Sequence, residues 1–364
     1  MHLPWENCKL PAEEIMQSMN PDDRKIAWKN VAEKHRLEDG LRIQRAPQKW
    51  LDIFAEGAAW RSLQSANVRM LLKTGSKRIG IRWKNNVDQF EVLGEVSCNG
   101  KRCATFSSRP CTENREDIFE TPVSGENLWE IHFPWCAEII IESILIDSGE
   151  KLSVVPADRR DVMFTYGSSI THGFSATRAS GTWPCITAAA LGIDFYNFGF
   201  GGAAFYEKEI AEYIASRRDW KYLTVEAGTN TCGGYETPAS YRNTFDKFLH
   251  IIREKHPCAP VLCFTSTYYT DHDEKKIKNS KGYLIEDYRV VTREVVGTRM
   301  KNDSNLFLAE GLDWIGNGKH LSDTIHPNDE GMQLMGSGIA TAWKKTPFFK
   351  DLSLPLNSLP FAHF

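Results

Sequence analysis

Apolar residues recur along this chain in two rhythms, and the change from one to the other divides it. From about residue 46 to 150 they come in short runs separated by turn residues. The runs at 68–72, 78–83, 90–96, 102–106, 128–133 and 138–146 each read as a strand. Cys98-Asn99-Gly100-Lys101, between two of them, carries the Asn-Gly signal of a tight hairpin. Short strands at this spacing, with no helical pattern between them, predict an antiparallel β-sandwich of jelly-roll type.

Beyond a charged connector at 151–160, strand and helix patterns alternate. Strands are predicted at 162–165, 194–198, 222–227, 261–265 and 306–309, and helices at 182–191, 205–216, 241–255, 284–296 and 328–343. In the third helix Tyr241, Phe245, Phe248, Leu249 and Ile252 share one face. Such alternation predicts a three-layer α/β/α domain built on a parallel sheet, with ligands at the carboxyl ends of its strands. The domains expected are therefore a sandwich at 46–150 and an α/β domain at 151–345. Residues 1–45 are expected to add a helical segment, because Asn20-Pro21-Asp22-Asp23 resembles a helix cap. Residues 346–364 form a tail with no helical period. The Lys- and Asp-rich stretch 270–282 reads as a solvated loop.

Chemistry concentrates at the ends of the predicted parallel strands. The first runs Val-Met-Phe-Thr-Tyr-Gly-Ser-Ser-Ile-Thr-His-Gly over 162–173, an apolar run ending in small and hydroxyl residues. It is followed by Asn197-Phe198-Gly199-Phe200-Gly201-Gly202, by Gly228-Thr229-Asn230 and by Asp323-Thr324-Ile325-His326-Pro327. Block for block, these resemble the SGNH (GDSL-like) serine hydrolases. The resemblance implies a serine esterase with Ser169 as nucleophile, His326 as general base and Asp323 orienting it. It also assigns the oxyanion donors to the amides of Ser169 and Gly202 and the side chain of Asn230. Asp323 lies three residues before His326, a spacing that brings both side chains together on a turn. The chain departs from the family's Gly-Asp-Ser block by carrying Ser168 where aspartate is usual. An appended β-sandwich is similar to the accessory domains of carbohydrate-acting relatives, which implies short acyl esters of a sugar or glycoside as substrates. Arg178, Trp183, Tyr235 and Tyr268 follow the blocks and are candidate walls of the substrate site.

Other readings use the same residues. A lipase-like or lactone-hydrolysing enzyme, a thioesterase and an acyltransferase need the same nucleophile. A carbohydrate-binding protein with an inert hydrolase domain needs only the sandwich. Gly199-Phe-Gly201-Gly202-Ala-Ala204 also approximates a dinucleotide fingerprint, but the first strand, its usual place, carries the serine block. His256 and His172 lack an acidic neighbour like that of His326.

Composition narrows the partners. Over 364 residues the net charge is -3, which gives no electrostatic reason to expect nucleic acid or an anionic membrane. No run of about 18 apolar residues is present. The start of the chain lacks a secretory pattern, which points to a cytoplasmic protein. Nine cysteines lie scattered without zinc spacing, so no metal and no cofactor are expected.

Overall fold

Seen in a computed structural model, the strand runs of the first half fold into two stacked antiparallel sheets. The structure describes residues 16–54, 56–233 and 236–349. One sheet is centred on Ile139–Asp147, flanked by Arg78–Asn85 and Gly40–Gln44. The other is centred on Asn127–His132, between Arg69–Thr74 and Leu93–Cys98. Trp83, Trp129, Ile131 and Phe133 are buried between them.

Strand Ile139–Asp147 shows how one residue sets which side chains face the core. Ile139 and Ile141 point inward, then a bulge between Ile141 and Ser143 shifts the register. Ile144 and Ile146 become the pair that faces the core between the sheets. Without the bulge the period of two would turn the second half of the strand outward. The Asn99-Gly100 hairpin closes as expected, with φ of 51° and 78° joining Leu93–Cys98 to Lys101–Ser107.

Residues 16–45 depart from the helical expectation. Residues 16–44 form four strands, Met16–Met19, Ala27–Lys29, Glu33–Leu37 and Gly40–Gln44, which join the two sheets. The cap-like asparagine closes a turn instead, its Asn20 Oδ1 accepting the Asp22 amide at 3.0 Å. Such an Asx turn uses the residue types of a helix cap, so local sequence does not separate the two. Trp28 then lies in a strand, over Phe133, and Ile26 is buried just before it. Residues 1–15 lie outside the described residues. The connector expected at 151–160 also contributes a short strand, Leu152–Ser153, paired with Arg69–Thr74.

The α/β part follows its pattern closely. Five parallel strands, Val162–Gly167, Asp194–Gly199, Tyr222–Ala227, Val261–Thr265 and Leu306–Ala309, form one sheet. Helices Lys208–Ser216, Pro238–Lys255 and Ile285–Met300 cover one face. Trp183–Leu191 and Asp329–Lys344 cover the other. In space, Asp194–Gly199 lies on one side of Val162–Gly167 and Tyr222–Ala227 on the other. Successive crossovers thus leave the first strand in opposite directions and open a crevice at its carboxyl end. The stretch 270–282 is better anchored than a solvated loop. It contains the turn Thr270–Asp273, whose Asp273 receives the buried Arg289 guanidinium through two bonds of 2.7 Å. Of the tail, Phe349 packs on Tyr222 and Trp343. Residues 350–364 lie outside the described residues.

The sandwich and the α/β part share an interface rich in polar ties. Asn67 Oδ1 accepts from Asn197 Nδ2 at 2.8 Å, and Trp135 Nε1 donates to the Ala176 carbonyl at 2.9 Å. Asp194 is buried between Arg69 and Lys29 of the sandwich.

Candidate active site

The crevice at the end of Val162–Gly167 opens on a tight turn. Ser168 caps the short helix Ser169–His172, its Oγ accepting the Ile170 amide at 3.1 Å. A side chain on Gly167 would collide with Thr171 and Glu226, so the strand must end in glycine for this turn to form. Gly173 ends it in the left-handed region at φ 119°.

Three of the residues singled out in the sequence meet here. Ser169 Oγ lies 2.8 Å from His326 Nε2, and His326 Nδ1 lies 2.6 Å from Asp323 Oδ2. Asp323 also turns the backbone. Its Oδ1 accepts the amides of Ile325 and His326, each at 2.8 Å, which is how the Asp-x-x-His spacing folds both side chains to one side. Partial burial pushes the Asp323 carboxyl up, but hydrogen bonds from the His326 ring and these two amides outweigh it and hold the group below its ordinary value. A carboxylate only accepts, so His326 Nδ1 donates to it and Nε2 is left to accept the Ser169 hydroxyl proton. Phe174 backs the imidazole, its ring stacked at 5.6 Å and 28°.

The glycine block divides by packing. A side chain on Gly199 would overlap the His172 backbone, and one on Gly201 would press on Phe174. Gly202 faces open space, with φ 72°. Its glycine is therefore required by backbone conformation rather than by crowding. Asn230 follows the end of Tyr222–Ala227, and its Oδ1 accepts the Ala204 amide at 3.0 Å. With the oxygen held by the glycine loop, Nδ2 is the end of the amide turned elsewhere.

The candidate walls fare differently. Trp183 is fully buried against Phe264 and is a core residue, so it is removed from the set. It lies in the first turn of its helix, but the face it occupies packs on the sheet. Arg178 is half-buried and lines a cleft of about 400 Å³ with Ile186, Asp329 and Gln333, beyond His326 in the chain. Tyr268 is half-buried beside the histidine loop and donates to Glu274 at 3.0 Å. Tyr235 lies outside the described residues. Of the other histidines, His172 is buried against Trp135 and Phe174, where burial holds it well below its usual range. His256 packs at a tilt against Trp220.

Sequence reasoning missed three charged residues around the crevice. Glu226, buried in the third parallel strand, accepts the Ser168 amide at 3.0 Å and hydroxyl at 2.5 Å. It also takes the Thr171 amide at 3.2 Å and hydroxyl at 2.6 Å. Arg45 and Arg61 reach in from the sandwich side. Arg45 is fully buried and donates to the carbonyls of Asn197 at 3.0 Å and Gly199 at 2.7 Å. Arg61 Nε donates to the Gly201 carbonyl at 3.2 Å. Burial lowers Arg45 to about 9 and Arg61 to about 10. The signal for Glu226 was a lone acid inside a predicted buried strand. Nothing local marked either arginine. Among the described residues no His/Cys/Asp/Glu cluster suits a metal ion, and no helix is long and apolar enough to cross a membrane.

A parallel α/β sheet whose first strand ends in a serine hydrogen-bonded to histidine, and the histidine to aspartate, defines the architecture of a serine hydrolase. Residues 165–334 match the model of the GDSL-like lipase/acylhydrolase family, so this segment is an SGNH hydrolase domain and the protein an ester hydrolase. No protein of curated function matches the chain by sequence. Solved structures resemble it over both sheets and the α/β part. A salicylyl-acyltransferase, SsfX3, from a tetracycline biosynthetic pathway is 21% identical, covering 90% of this chain and 96% of its own at a TM-score of 0.82. A putative GDSL-like lipase from Bacteroides ovatus is 19% identical, with coverages of 88% and 98% and a TM-score of 0.72. A family two carbohydrate esterase from Clostridium thermocellum, solved with cellohexaose, is 12% identical, with coverages of 87% and 98% and a TM-score of 0.65. At these identities the likeness establishes the fold.

Proposed function

We propose that this protein is a serine esterase that removes short acyl groups, acetyl foremost, from a sugar or glycoside. The observation that carries the mechanism is the continuous hydrogen-bonded chain from Ser169 Oγ through His326 to Asp323. Ser169 Oγ attacks the ester carbonyl carbon while its proton passes to His326 Nε2. The charge that grows on the carbonyl oxygen is met by the amides of Ser169 and Gly202 and by Asn230 Nδ2. Collapse breaks the bond to the alcohol, which leaves with the proton from His326. A water, deprotonated by the same nitrogen, then releases the acid from Ser169. The sugar substrate is supported by the likeness to the carbohydrate esterase, which shares the sandwich as well as the α/β part.

Hydrolysis of p-nitrophenyl esters from acetate to octanoate tests the reading. A burst with short acyl groups is expected, and Ser169→Ala and His326→Ala should each lower kcat by at least about 10⁴-fold. Substantial turnover by Ser169→Ala would remove Ser169 as nucleophile. The likeness to an acyltransferase favours a second reading, in which an alcohol rather than water takes the acyl group. Adding a sugar alcohol to the same assay separates the two, because transfer yields the new ester in place of free acid.

A further inference from the structure

The loop that carries Gly202 is a four-residue turn, Phe200 to Ala203, closed by the Ala203 amide on the Phe200 carbonyl at 3.0 Å. Gly202 has φ 72° and Gly201 is not in the positive region, which makes this a type II turn. Types I and II differ mainly by a flip of the central peptide, here Gly201–Gly202. That flip meets little resistance when both residues are glycine. In a trans peptide the carbonyl and the N–H of the next residue point in opposite directions. Whatever holds the Gly201 oxygen therefore aims the Gly202 N–H the other way.

The group that holds it comes from the sandwich side. Arg61, in helix Glu56–Leu63, donates Nε to the Gly201 carbonyl at 3.2 Å. Its guanidinium lies 4.7 Å from the Phe174 ring, the same ring that backs His326. It also lies 4.0 Å from the Trp60 ring, and Nη1 donates to Gln64 and Gln89. Arg45 fixes the base of this arrangement by donating to the Arg61 carbonyl at 2.9 Å and to the Gly199 carbonyl. Among the described residues neither guanidinium pairs with a carboxylate, so their positive charge stands uncompensated beneath the loop.

We propose that Arg61 is a positioning residue for the oxyanion. By holding the Gly201 carbonyl it locks the central peptide of the turn in the orientation that presents the Gly202 N–H to the ester oxygen. A charged donor on the carbonyl also polarises that peptide, which strengthens its N–H as a donor. The sandwich region thus completes the oxyanion site instead of only flanking it. This rests on the reading of Gly202 as an oxyanion donor.

Two variants test it. Arg61→Met keeps an unbranched side chain at this position without the guanidinium, and Arg61→Ala leaves room for free guanidinium. With p-nitrophenyl acetate both should lose about tenfold to a hundredfold in kcat and in the acylation burst rate, less than removal of a direct donor costs. KM should stay within about threefold, because the lost interaction is made in the transition state. Millimolar guanidinium chloride should restore rate to Arg61→Ala and leave wild type unchanged. Wild-type acylation in either folded variant, or a loss that appears only in KM and melting temperature without rescue, overturns the proposal. If Arg61→Ala does not fold, the acylation rate of Arg61→Met decides alone. Ser169→Ala run alongside separates the two levels. Full activity there removes the esterase mechanism itself, whereas an inactive Ser169→Ala beside fully active Arg61 variants removes only the role of Arg61.

Discussion

Glu226 holds the turn that carries Ser169. Four donors converge on its carboxylate, two backbone amides and two hydroxyls from Ser168 and Thr171. This explains the departure from the Gly-Asp-Ser block. An aspartate at 168 would set a second carboxylate against Glu226 in a buried site, where like charges repel strongly, whereas the Ser168 hydroxyl donates to it. Removing the acceptor leaves buried donors unpaired, at about 1–3 kcal/mol for each. Glu226→Ala is therefore expected to lose several kcal/mol in urea unfolding. Glu226→Gln should lose about 2 kcal/mol, because one amide oxygen still serves the two backbone donors that share Oε2. In Gln the acylation rate should fall further than KM rises, since the turn aims Ser169. Unchanged kinetics in a folded Glu226→Gln would show that the turn stands without the charge. The four blocks of the site were legible because each combines a strand end with small or polar residues. Glu226, Arg45 and Arg61 were not, because each is a single charged residue whose partners are remote in sequence and known only once the sheets are stacked.

Helix Lys208–Ser216 begins at a half-buried acid. Glu207 stands at its N-cap and accepts the Tyr166 hydroxyl at 3.0 Å and the Phe205 amide at 3.3 Å. Burial raises its carboxyl to about 7 from an ordinary 4.5, and the backbone and Tyr166 hydrogen bonds only partly oppose this. The folded protein therefore binds a proton that the unfolded chain has already released between those two values. Stability is expected to fall as pH rises from about 4.5 to 7, by up to about 3 kcal/mol from this group. Glu207→Gln stays neutral and should lose that slope; denaturant unfolding at pH 5 and pH 8 in both proteins measures it. Equal slopes would mean that Glu207 stays charged throughout. At this scale the parallel strands and their helices were legible because their apolar runs are continuous and long. Residues 16–45 were not. Their strands are short, with polar positions at the sheet edges, and Asn20 serves a turn as readily as a helix cap.

The two halves of the molecule meet through charge as well as apolar packing. Asp194, at the start of its parallel strand, is gripped by Arg69 and by Lys29 Nζ at 2.9 Å, and it accepts the Phe195 amide at 2.9 Å. Lys29 continues to Asp158 on the connector at 3.0 Å. Burial pushes the Asp194 carboxyl up, but Arg69 and Lys29 together hold it well below the carboxylate range. A group depressed in this way adds stability above its unfolded value near 3.8 and loses it as pH falls below that. Asp194→Asn leaves Lys29 with Asp158 but the buried Arg69 with only Glu130, at 3.4 Å, and should cost about 3–5 kcal/mol at neutral pH. The difference from wild type should shrink once pH falls below 4. The same carboxylate joins sandwich to α/β sheet, and Arg45 and Asn67 bind the Asn197 strand beside it. Wild type is therefore expected to unfold in one step, with tryptophan fluorescence and far-UV circular dichroism tracing one curve in urea. In Asp194→Asn that curve should shift without splitting, because the remaining ties still couple the halves. Two separated transitions in wild type would show that the sandwich folds and melts alone, and would leave it free to move relative to the loop that Arg61 holds.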